Sequence, residues 1–208
     1  MFLTIYYLLA LVIILTVHEA AHAWVAMRLG DPTAERMGRV SLNPLRHLDL
    51  LGTMMLFLAG FGWGKPVPVN PRNFKKPVRD EALTAFAGPL ANLIMAVLAA
   101  IPVSYISPDT GMNGLLTFSS AILDLSLVLF LFNMLPFPPL DGSKFVVIFV
   151  PHRFQKKYQE LLRKGMPYFL AFIVIDLYFL KNLIGFSFVW SVVSAATFWL
   201  KTAILVVV

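Results

Sequence analysis

The chain contains no cysteine among its 208 residues. A disulfide framework, a thiol nucleophile and a cysteine-ligated metal are therefore excluded. Charge is also scarce, because only 13% of the residues are Asp, Glu, Lys or Arg, compared with about 25% in a typical soluble domain. Any catalytic or metal site must be built from nitrogen and oxygen ligands, and few charged side chains are available for it.

Apolar residues dominate the composition. They make up 59% of the chain, and the mean hydropathy is +0.78, whereas soluble domains are about 45–50% apolar. We therefore expect an integral membrane protein embedded in the lipid bilayer. The net charge of +6 does not indicate a nucleic-acid partner, because the basic residues lie between apolar segments, which is the positive-inside pattern of cytoplasmic loops.

Five apolar segments are predicted to span the bilayer as helices. They are about Phe2–Arg28, Glu81–Ile106, Gly114–Leu135, Met166–Leu180 and Ile184–Val206. A further run, Leu50–Trp63, has only 14 residues, whereas a spanning helix needs about 20. Basic residues flank it on both sides, and its end is rich in Gly and Pro. We interpret it as a short re-entrant, partly β-like element that enters and leaves on the cytoplasmic side.

This pattern predicts an all-α polytopic membrane protein with about five transmembrane helices plus the re-entrant element. We expect a single membrane-embedded domain over residues 1–208, with a catalytic core at about 1–145 and C-terminal helices at about 166–206. The first segment lacks a charged n-region and is interpreted as a retained helix. The loop Ser107–Asn113 has no Lys or Arg and should lie outside with the N terminus, and the C terminus should lie in the cytoplasm.

The first segment contains the motif His18-Glu19-Ala20-Ala21-His22. Residues four apart share one face of a helix, so the two histidines can offer ring nitrogens to one metal ion. Glu19 lies about 100° further round, which suits a general base rather than a ligand. A pair of satisfied core histidines is the structural alternative, but His and Glu are rarely placed inside a membrane without a partner or a function.

A catalytic zinc ion takes three protein ligands. Asp141 is the best-placed third ligand, because it follows a Pro-rich break at the end of the third segment, near the membrane face that the motif approaches. A cytoplasmic β-turn explains Pro-Leu-Asp-Gly equally well. The other candidates therefore stay open. They are His47, Asp49, Asp124, His152 and Asp176.

Four motifs occur in the order seen in site-2 proteases, and the chain resembles this family of zinc intramembrane metalloproteases. They are His18-Glu19-Ala20-Ala21-His22, the stretch Gly-Trp-Gly-Lys-Pro-Val-Pro-Val-Asn-Pro from Gly62, Ala87-Gly88-Pro89-Leu90-Ala91-Asn92, and the stretch Asn133–Gly142. The resemblance covers roughly Ile14–Gly142. It is closest to the small bacterial and archaeal members without PDZ or CBS domains.

The resemblance implies one zinc ion per chain, held by His18, His22 and Asp141, with Glu19 as the catalytic base. It also implies hydrolysis of peptide bonds in or near transmembrane segments of partner membrane proteins. Asn92 is expected to project toward the active site, where it would bind substrate or stabilise the oxyanion. The protein is expected in a prokaryotic cell (inner) membrane, with its active site toward the cytoplasm.

The Gly62–Val69 segment resembles the re-entrant β element that lies near bound substrate in this family. Val67 and Val69 are expected to contact an unwound substrate strand, because an extended edge can pair with an extended peptide. Pro66 and Pro68 lack N–H donors and limit that pairing.

The main alternative is a membrane metal-binding or metal-transport protein that uses the same cluster. Transport would need ligands along a pathway, yet no histidine follows His152, and the second and third segments hold few ionisable residues. Glu19 separates the two hypotheses, because hydrolysis requires a base and metal binding alone does not.

Overall fold

The structure is a computed structural model that describes residues 2–59 and 62–208. These residues form α-helices joined by turns. The helices are α1 (Phe2–Arg28), α2 (Thr33–Arg36), α3 (Leu50–Ala59), α4 (Pro77–Tyr105), α5 (Asn113–Asn133), α6 (Asp141–Val146), α7 (His152–Val174), α8 (Lys181–Ile184) and α9 (Phe188–Val207). Short 3-10 helices lie at Pro44–Arg46, Pro71–Asn73, Pro108–Thr110 and Val147–Phe149, and a π-helix lies at Ile175–Leu180.

Four of the described helices are long and apolar enough to cross a membrane. They are α1 from Ile5 onward, α4, α5 and α9. The predicted fold class is therefore confirmed: the protein is an all-α polytopic membrane protein, and four spanning helices are close to the predicted five.

Small residues allow α4 to pack closely on α5. Ala96, Ala99 and Ala100 of α4 form one buried cluster with Leu123 and Leu127 of α5. Lipid tails are as apolar as leucine, so helices in a membrane associate through close van der Waals packing, which alanine permits. The α4–α5 pair is therefore the centre of the bundle.

Helix α1 lies against this centre. Its buried residues Ala10 and Ile14 pack on Ala121 of α5, and one turn further along, the histidine motif faces α4. The packing of α1 thus places His18 and His22 inside the bundle rather than toward lipid.

Helix α9 runs antiparallel to α5. Lys201 forms an ion pair of 2.6 Å with Asp124, and the hydroxyl of Tyr105 donates to the carbonyl of Val208 over 2.9 Å. The C terminus therefore lies at the end of the bundle where α4 ends and α5 begins. The sequence predicted the C terminus and the Ser107–Asn113 loop on opposite sides of the membrane, and that prediction is wrong.

The difference arises in the predicted fourth segment, Met166–Leu180. Its first part belongs to α7, which packs across the end of α5 through Phe169 on Phe132 and Phe172 on Phe137. Its second part returns to the start of α9. The segment begins and ends at one end of the bundle, so its apolar run does not add a crossing.

Asp176 fixes this return. Its carboxylate is buried and accepts hydrogen bonds from the Ser187 hydroxyl at 2.6 Å and the Phe188 N–H at 2.8 Å. A carboxylate at the start of a helix satisfies otherwise unpaired N–H groups and the helix dipole. Asp176 therefore caps α9.

The two ends of the predicted re-entrant run lie side by side. An antiparallel bridge joins Leu48 to Gly64, and the Lys65 N–H donates to the carbonyl of His47 over 2.7 Å. Between them, α3 occupies Leu50–Ala59, and residues 60 and 61 lie outside the described residues. The chain therefore leaves and returns at one place, as a re-entrant element requires.

The end-to-end arrangement of the bundle can be tested by accessibility labelling, since the chain has no native cysteine. We expect a thiol introduced by Asp109→Cys and a tag after Val208 to react from one side of the membrane. A thiol introduced by Lys75→Cys should react from the other side. A C-terminal tag that is accessible from the side of position 75 would contradict the observed direction of α9.

Candidate metal centre

His18 and His22 lie one turn apart on the buried face of α1. Both side chains are buried, and their Nε2 atoms are 3.0 Å apart. The surrounding run is apolar and lacks helix breakers until Gly30, so the helix continues through the motif. The two imidazoles therefore point to one location inside the protein.

Asp141, the first residue of α6, reaches the same location from a distant part of the sequence. Its Oδ2 atom is 3.2 Å from Nε2 of His18 and 3.2 Å from Nε2 of His22. Gly142 makes this approach possible, because a Cβ there would lie 2.3 Å from the carbonyl oxygen of Met134. Only glycine lets the chain fold back so closely on the end of α5.

The carboxyl group of Asp141 lies beside two imidazole rings. Burial alone would raise the pKa of its carboxyl group, but His22 and His18 outweigh that effect and hold the pKa well below its usual range. Metal binding requires the deprotonated form of a carboxylate.

The three ligand atoms form a triangle with sides of 3.0, 3.2 and 3.2 Å. Ligand atoms that each lie about 2.0–2.1 Å from a tetrahedral zinc ion are about 3.3–3.4 Å apart, so the triangle is close to the size that zinc requires. Within residues 2–59 and 62–208, this is the group of three His, Asp or Glu side chains whose ligand atoms converge. Two imidazole nitrogens and one carboxylate oxygen are a donor set that fits zinc.

One face of α4 supports the two histidines from behind. Nδ1 of His22 donates to the carbonyl of Thr84 over 2.7 Å, and the side chain of Asn92 lies 3.0 Å from Nδ1 of His18. A proton on each Nδ1 leaves each Nε2 with its lone pair facing the triangle. In this tautomer both histidines can donate an Nε2 lone pair to a metal ion at the triangle.

Asn92 is buried, and its Oδ1 has no partner among the described residues. Rotating the amide by 180° about its last side-chain bond places Oδ1 against the Nδ1–H of His18. In that orientation Oδ1 accepts a hydrogen bond from the Nδ1–H of His18. Asn92 thus contacts the ring of His18 on the side away from the triangle.

Gly88 lies between Thr84 and Asn92 on the same face of α4, at spacings of four residues. A Cβ at this position would lie 2.3 Å from Nε2 of His22 and 2.7 Å from Cε1 of His18. Real Cβ atoms do not approach other atoms so closely. The missing side chain therefore provides the space that the histidine rings occupy.

Glu19 is half-buried and points away from the α4 face, toward the extended segment after α3. A Cβ on Gly64 would lie 3.6 Å from Oε1 of Glu19. The carboxylate therefore lies beside the backbone of Gly64, one residue from His18 along the helix.

Arg39 holds the extended segment in this place. Its side chain is only 3% exposed, and its guanidinium group donates to the carbonyls of Lys65, at 2.5 Å, and Pro66, at 3.1 Å. Burial lowers the pKa of Arg39, and the carboxylate of Glu19 opposes that shift. The buried Arg39 cation therefore bonds to the extended segment and is also attracted by the Glu19 carboxylate.

Asp31 anchors the far end of the same segment. Its buried carboxylate accepts hydrogen bonds from the Asn70 N–H and the Asn73 side chain, each at 2.7 Å, and from Thr33. Burial would raise the pKa of Asp31, but these hydrogen bonds lower it. Residues 64–70 are therefore fixed at both ends by buried charges.

Val67 and Val69 lie between these anchors and are half-buried. Their main-chain groups form no hydrogen bond with another described residue, whereas those of Lys65, Pro66 and Asn70 do. The main chain around the two valines is therefore available to a further extended strand.

The other candidate ligands lie apart from the triangle. His47 is buried and bonds through Nε2 to the carbonyl of Ser41. Asp49 caps the start of α3 through Gly52 N–H, and His152 is exposed and bonds to Gln155. Asp124 and Asp176 have the partners described above. Of the six candidates for a third ligand, the structure brings only Asp141 to His18 and His22.

Sequence reasoning missed Arg39, Asp31 and the carbonyl of Thr84. In the sequence, Arg39 is one of several basic residues between apolar segments, and Asp31 lies in the Gly-Asp-Pro break after the first segment. Neither pattern reveals burial. The spacing of Thr84, Gly88 and Asn92 by four residues was a usable signal, because it marks one helix face with small and polar residues.

The space at Gly88 gives a direct prediction. Gly88→Ala should weaken zinc binding by about tenfold or more, since displaced histidine rings no longer form the triangle. Zinc affinity of the purified, folded variant measures this effect. Gly114→Ala is the matched control, because a Cβ there meets only the hydroxyl end of Tyr6. Normal zinc affinity in a folded Gly88→Ala protein would show that the histidines do not hold the metal.

Comparison with known proteins identifies the family. The family model described as Peptidase family M50 matches residues 6–108. A Bacillus subtilis protein named "Putative zinc metalloprotease YwhC" is 41% identical over 179 residues, which cover 83% of this chain and 81% of that protein. No solved structure shows a significant match.

Two mycobacterial proteins named "Putative zinc metalloprotease Rip2" are more distant relatives. The Mycolicibacterium smegmatis protein is 34% identical over 135 residues, covering 62% of this chain and 51% of that protein. The Mycobacterium tuberculosis protein is 30% identical over 179 residues, covering 84% and 66%. Together with the family model and the Bacillus relative, they confirm the resemblance found in the sequence. The chain belongs to Peptidase family M50, the site-2 proteases, and is a metalloprotease.

Proposed function

We propose that this metalloprotease hydrolyses peptide bonds in or near transmembrane segments of partner membrane proteins. The convergence of His18, His22 and Asp141 carries the proposal, because a metal ion held by these side chains would lie beside a helix that is long and apolar enough to cross a membrane. Counting about 1.5 Å per residue, His18 lies about 15 Å from the end of α1 at Arg28. A soluble peptide would not reach this depth as readily as a segment that already lies in the bilayer.

We propose one zinc ion per chain at the triangle. When bound, zinc supplies a Lewis acid that polarises the scissile carbonyl and makes water acidic enough to react near neutral pH. Glu19, beside the triangle, would take the proton from the attacking water and return it to the departing amine.

Asn92 has a different proposed role from the one expected by family resemblance. Its side chain is buried against Nδ1 of His18, behind the triangle rather than in front of it. We therefore propose that Asn92 positions His18, and that it does not contact the substrate oxyanion. Thr84 would position His22 in the same way through its carbonyl group.

The segment around Val67 and Val69 is the proposed substrate contact. A transmembrane helix hides its peptide bonds in internal hydrogen bonds, so it must unwind before hydrolysis. The main-chain groups of the two valines could pair with the unwound strand, and Arg39 and Asp31 would hold the segment steady beside Glu19.

We propose that residues 1–208 act as a single domain in a prokaryotic cell (inner) membrane, with the metal site toward the cytoplasm. The loops at the metal end of the bundle hold many basic residues, among them Arg46, Arg72 and Lys75. The Ser107–Asn113 loop at the other end has none. This asymmetry follows the positive-inside rule.

Glu19→Gln separates proteolysis from metal binding. We expect the variant to keep its zinc and to lose cleavage of a transmembrane substrate by about 10²–10⁴-fold, because the amide cannot accept the proton. Glu35→Gln, on the exposed surface of α2, is the matched control and should cleave normally. Full cleavage by Glu19→Gln would rule out its role as base, and metal transport that survives in this variant would favour the alternative function.

Arg39→Lys tests the substrate segment. Lysine keeps the positive charge but lacks the planar guanidinium group, whose N–H donors bond to two carbonyls at once. We expect KM for a transmembrane substrate to rise about tenfold while kcat and zinc content change less. Arg36→Lys, which is exposed on α2, serves as the control. A fall in kcat with an unchanged KM would mean that Arg39 acts on Glu19 rather than on the segment.

A further inference from the structure

Helix α7 has two halves of opposite character. Residues 152–164 carry five basic side chains and one acidic side chain, Glu160. The basic residues are exposed, and they are Arg153, Lys156, Lys157, Arg163 and Lys164. From Met166 onward the helix is apolar, and it has no charged residue before Asp176.

One face of α7 lies against the protein. Tyr158, Leu162, Gly165, Phe169 and Phe172 are buried or half-buried, and they follow one another at spacings of three or four residues. The basic residues of the first half lie mainly around the opposite face. The positive face is therefore directed away from the rest of the protein.

The apolar half also exposes large side chains. Tyr168 is 71% exposed, and Met166, Leu170 and Val174 are exposed as well. A helix with a basic first half and an exposed apolar second half matches a helix that enters a membrane interface from the aqueous side. A nucleic acid or an acidic peptide would pair with the basic half but would leave the apolar half in water.

The buried face of α7 touches the segment that presents Asp141. The hydroxyl of Tyr158 donates to the carbonyl of Ser143 over 2.8 Å. Gly165 lies against Pro138, and the ring of Phe172 stacks on that of Phe137 at 5.6 Å. These contacts lie on both sides of Asp141 in the sequence, so a shift of α7 would move the third ligand of the triangle.

We propose that α7 binds the anionic phospholipid surface of the membrane and that this binding holds the Asp141 segment in its active position. The proposal rests on the proposed function, because it assigns a lipid requirement to the same metal site. Each Lys or Arg near an anionic surface adds attraction that salt screens. Peptidase activity should therefore rise with the anionic lipid content of the membrane.

The test uses the full chain in nanodiscs of phosphatidylcholine alone or with about one third phosphatidylglycerol. We expect kcat/KM for a transmembrane substrate to be at least about threefold higher in the anionic discs. The triple variant Lys156→Gln, Lys157→Gln and Lys164→Gln should lose this difference. The control triple variant Arg72→Gln, Lys75→Gln and Lys76→Gln removes the same charge from exposed loop positions at the same end and should keep it.

A second readout does not depend on proteolysis. A fluorophore attached through Tyr168→Cys, in a chain without other cysteines, should be quenched more strongly by spin-labelled lipid in anionic discs than in neutral discs. Equal quenching in both discs, or equal loss of the lipid effect in the two triple variants, would overturn the proposal. So would a soluble polyanion that reproduces the activation in neutral discs.

The two readouts distinguish the lipid proposal from the proposed function. Cleavage that requires Glu19 but does not depend on lipid charge would sustain the proteolytic function and overturn the lipid role. If quenching depends on lipid charge but neither kind of disc shows cleavage that requires Glu19, lipid binding by α7 would be sustained. Its coupling to proteolysis would be overturned.

Discussion

The convergence of two imidazoles and one carboxylate is the constraint on which the rest of the structure depends. His18 and His22 are neighbours on one helix, but Asp141 is separated from them by more than a hundred residues and two crossings of the membrane. The three donor atoms lie 3.0–3.2 Å apart, which is close to the spacing that a tetrahedral zinc ion requires. The proposed metal ion would join α1 to α6 through these three side chains, with the end of α5 packed against the start of α6.

Satisfying these polar groups inside a membrane determines much of the packing around them. The face of α4 toward the site has Thr84, Gly88 and Asn92 at successive turns. The Thr84 carbonyl bonds to His22, the Asn92 amide contacts His18, and Gly88 leaves space for both rings. On the other side of α1, buried Arg39 and Asp31 hold the extended segment beside Glu19. The turn of α1 that holds His18 and Glu19 therefore lies between α4 and the anchored extended segment.

The sequence was sufficient for the features that depend on local patterns. Long apolar runs predicted α1, α4, α5 and α9, and the spacing of His18 and His22 predicted a shared metal face. The direction of α9 was missed because the apolar run Met166–Leu180 was long enough to suggest a crossing, while its contacts with Phe132 and Phe137 arise only in the folded chain. The burial of Arg39 could not be predicted from the sequence, because an arginine looks the same in a sequence whether its side chain is buried or solvated.

The most direct test of the shared metal site is X-ray absorption at the zinc edge of the purified protein. The account predicts two imidazole ligands with the remaining ligands oxygen, all about 2.0–2.1 Å from the metal. In Asp141→Asn the carboxylate contribution should disappear, with zinc lost or its oxygen shell changed, while Asp49→Asn should match the unmodified protein. A third imidazole in the unmodified protein, or an identical zinc spectrum at full occupancy in Asp141→Asn, would contradict the account.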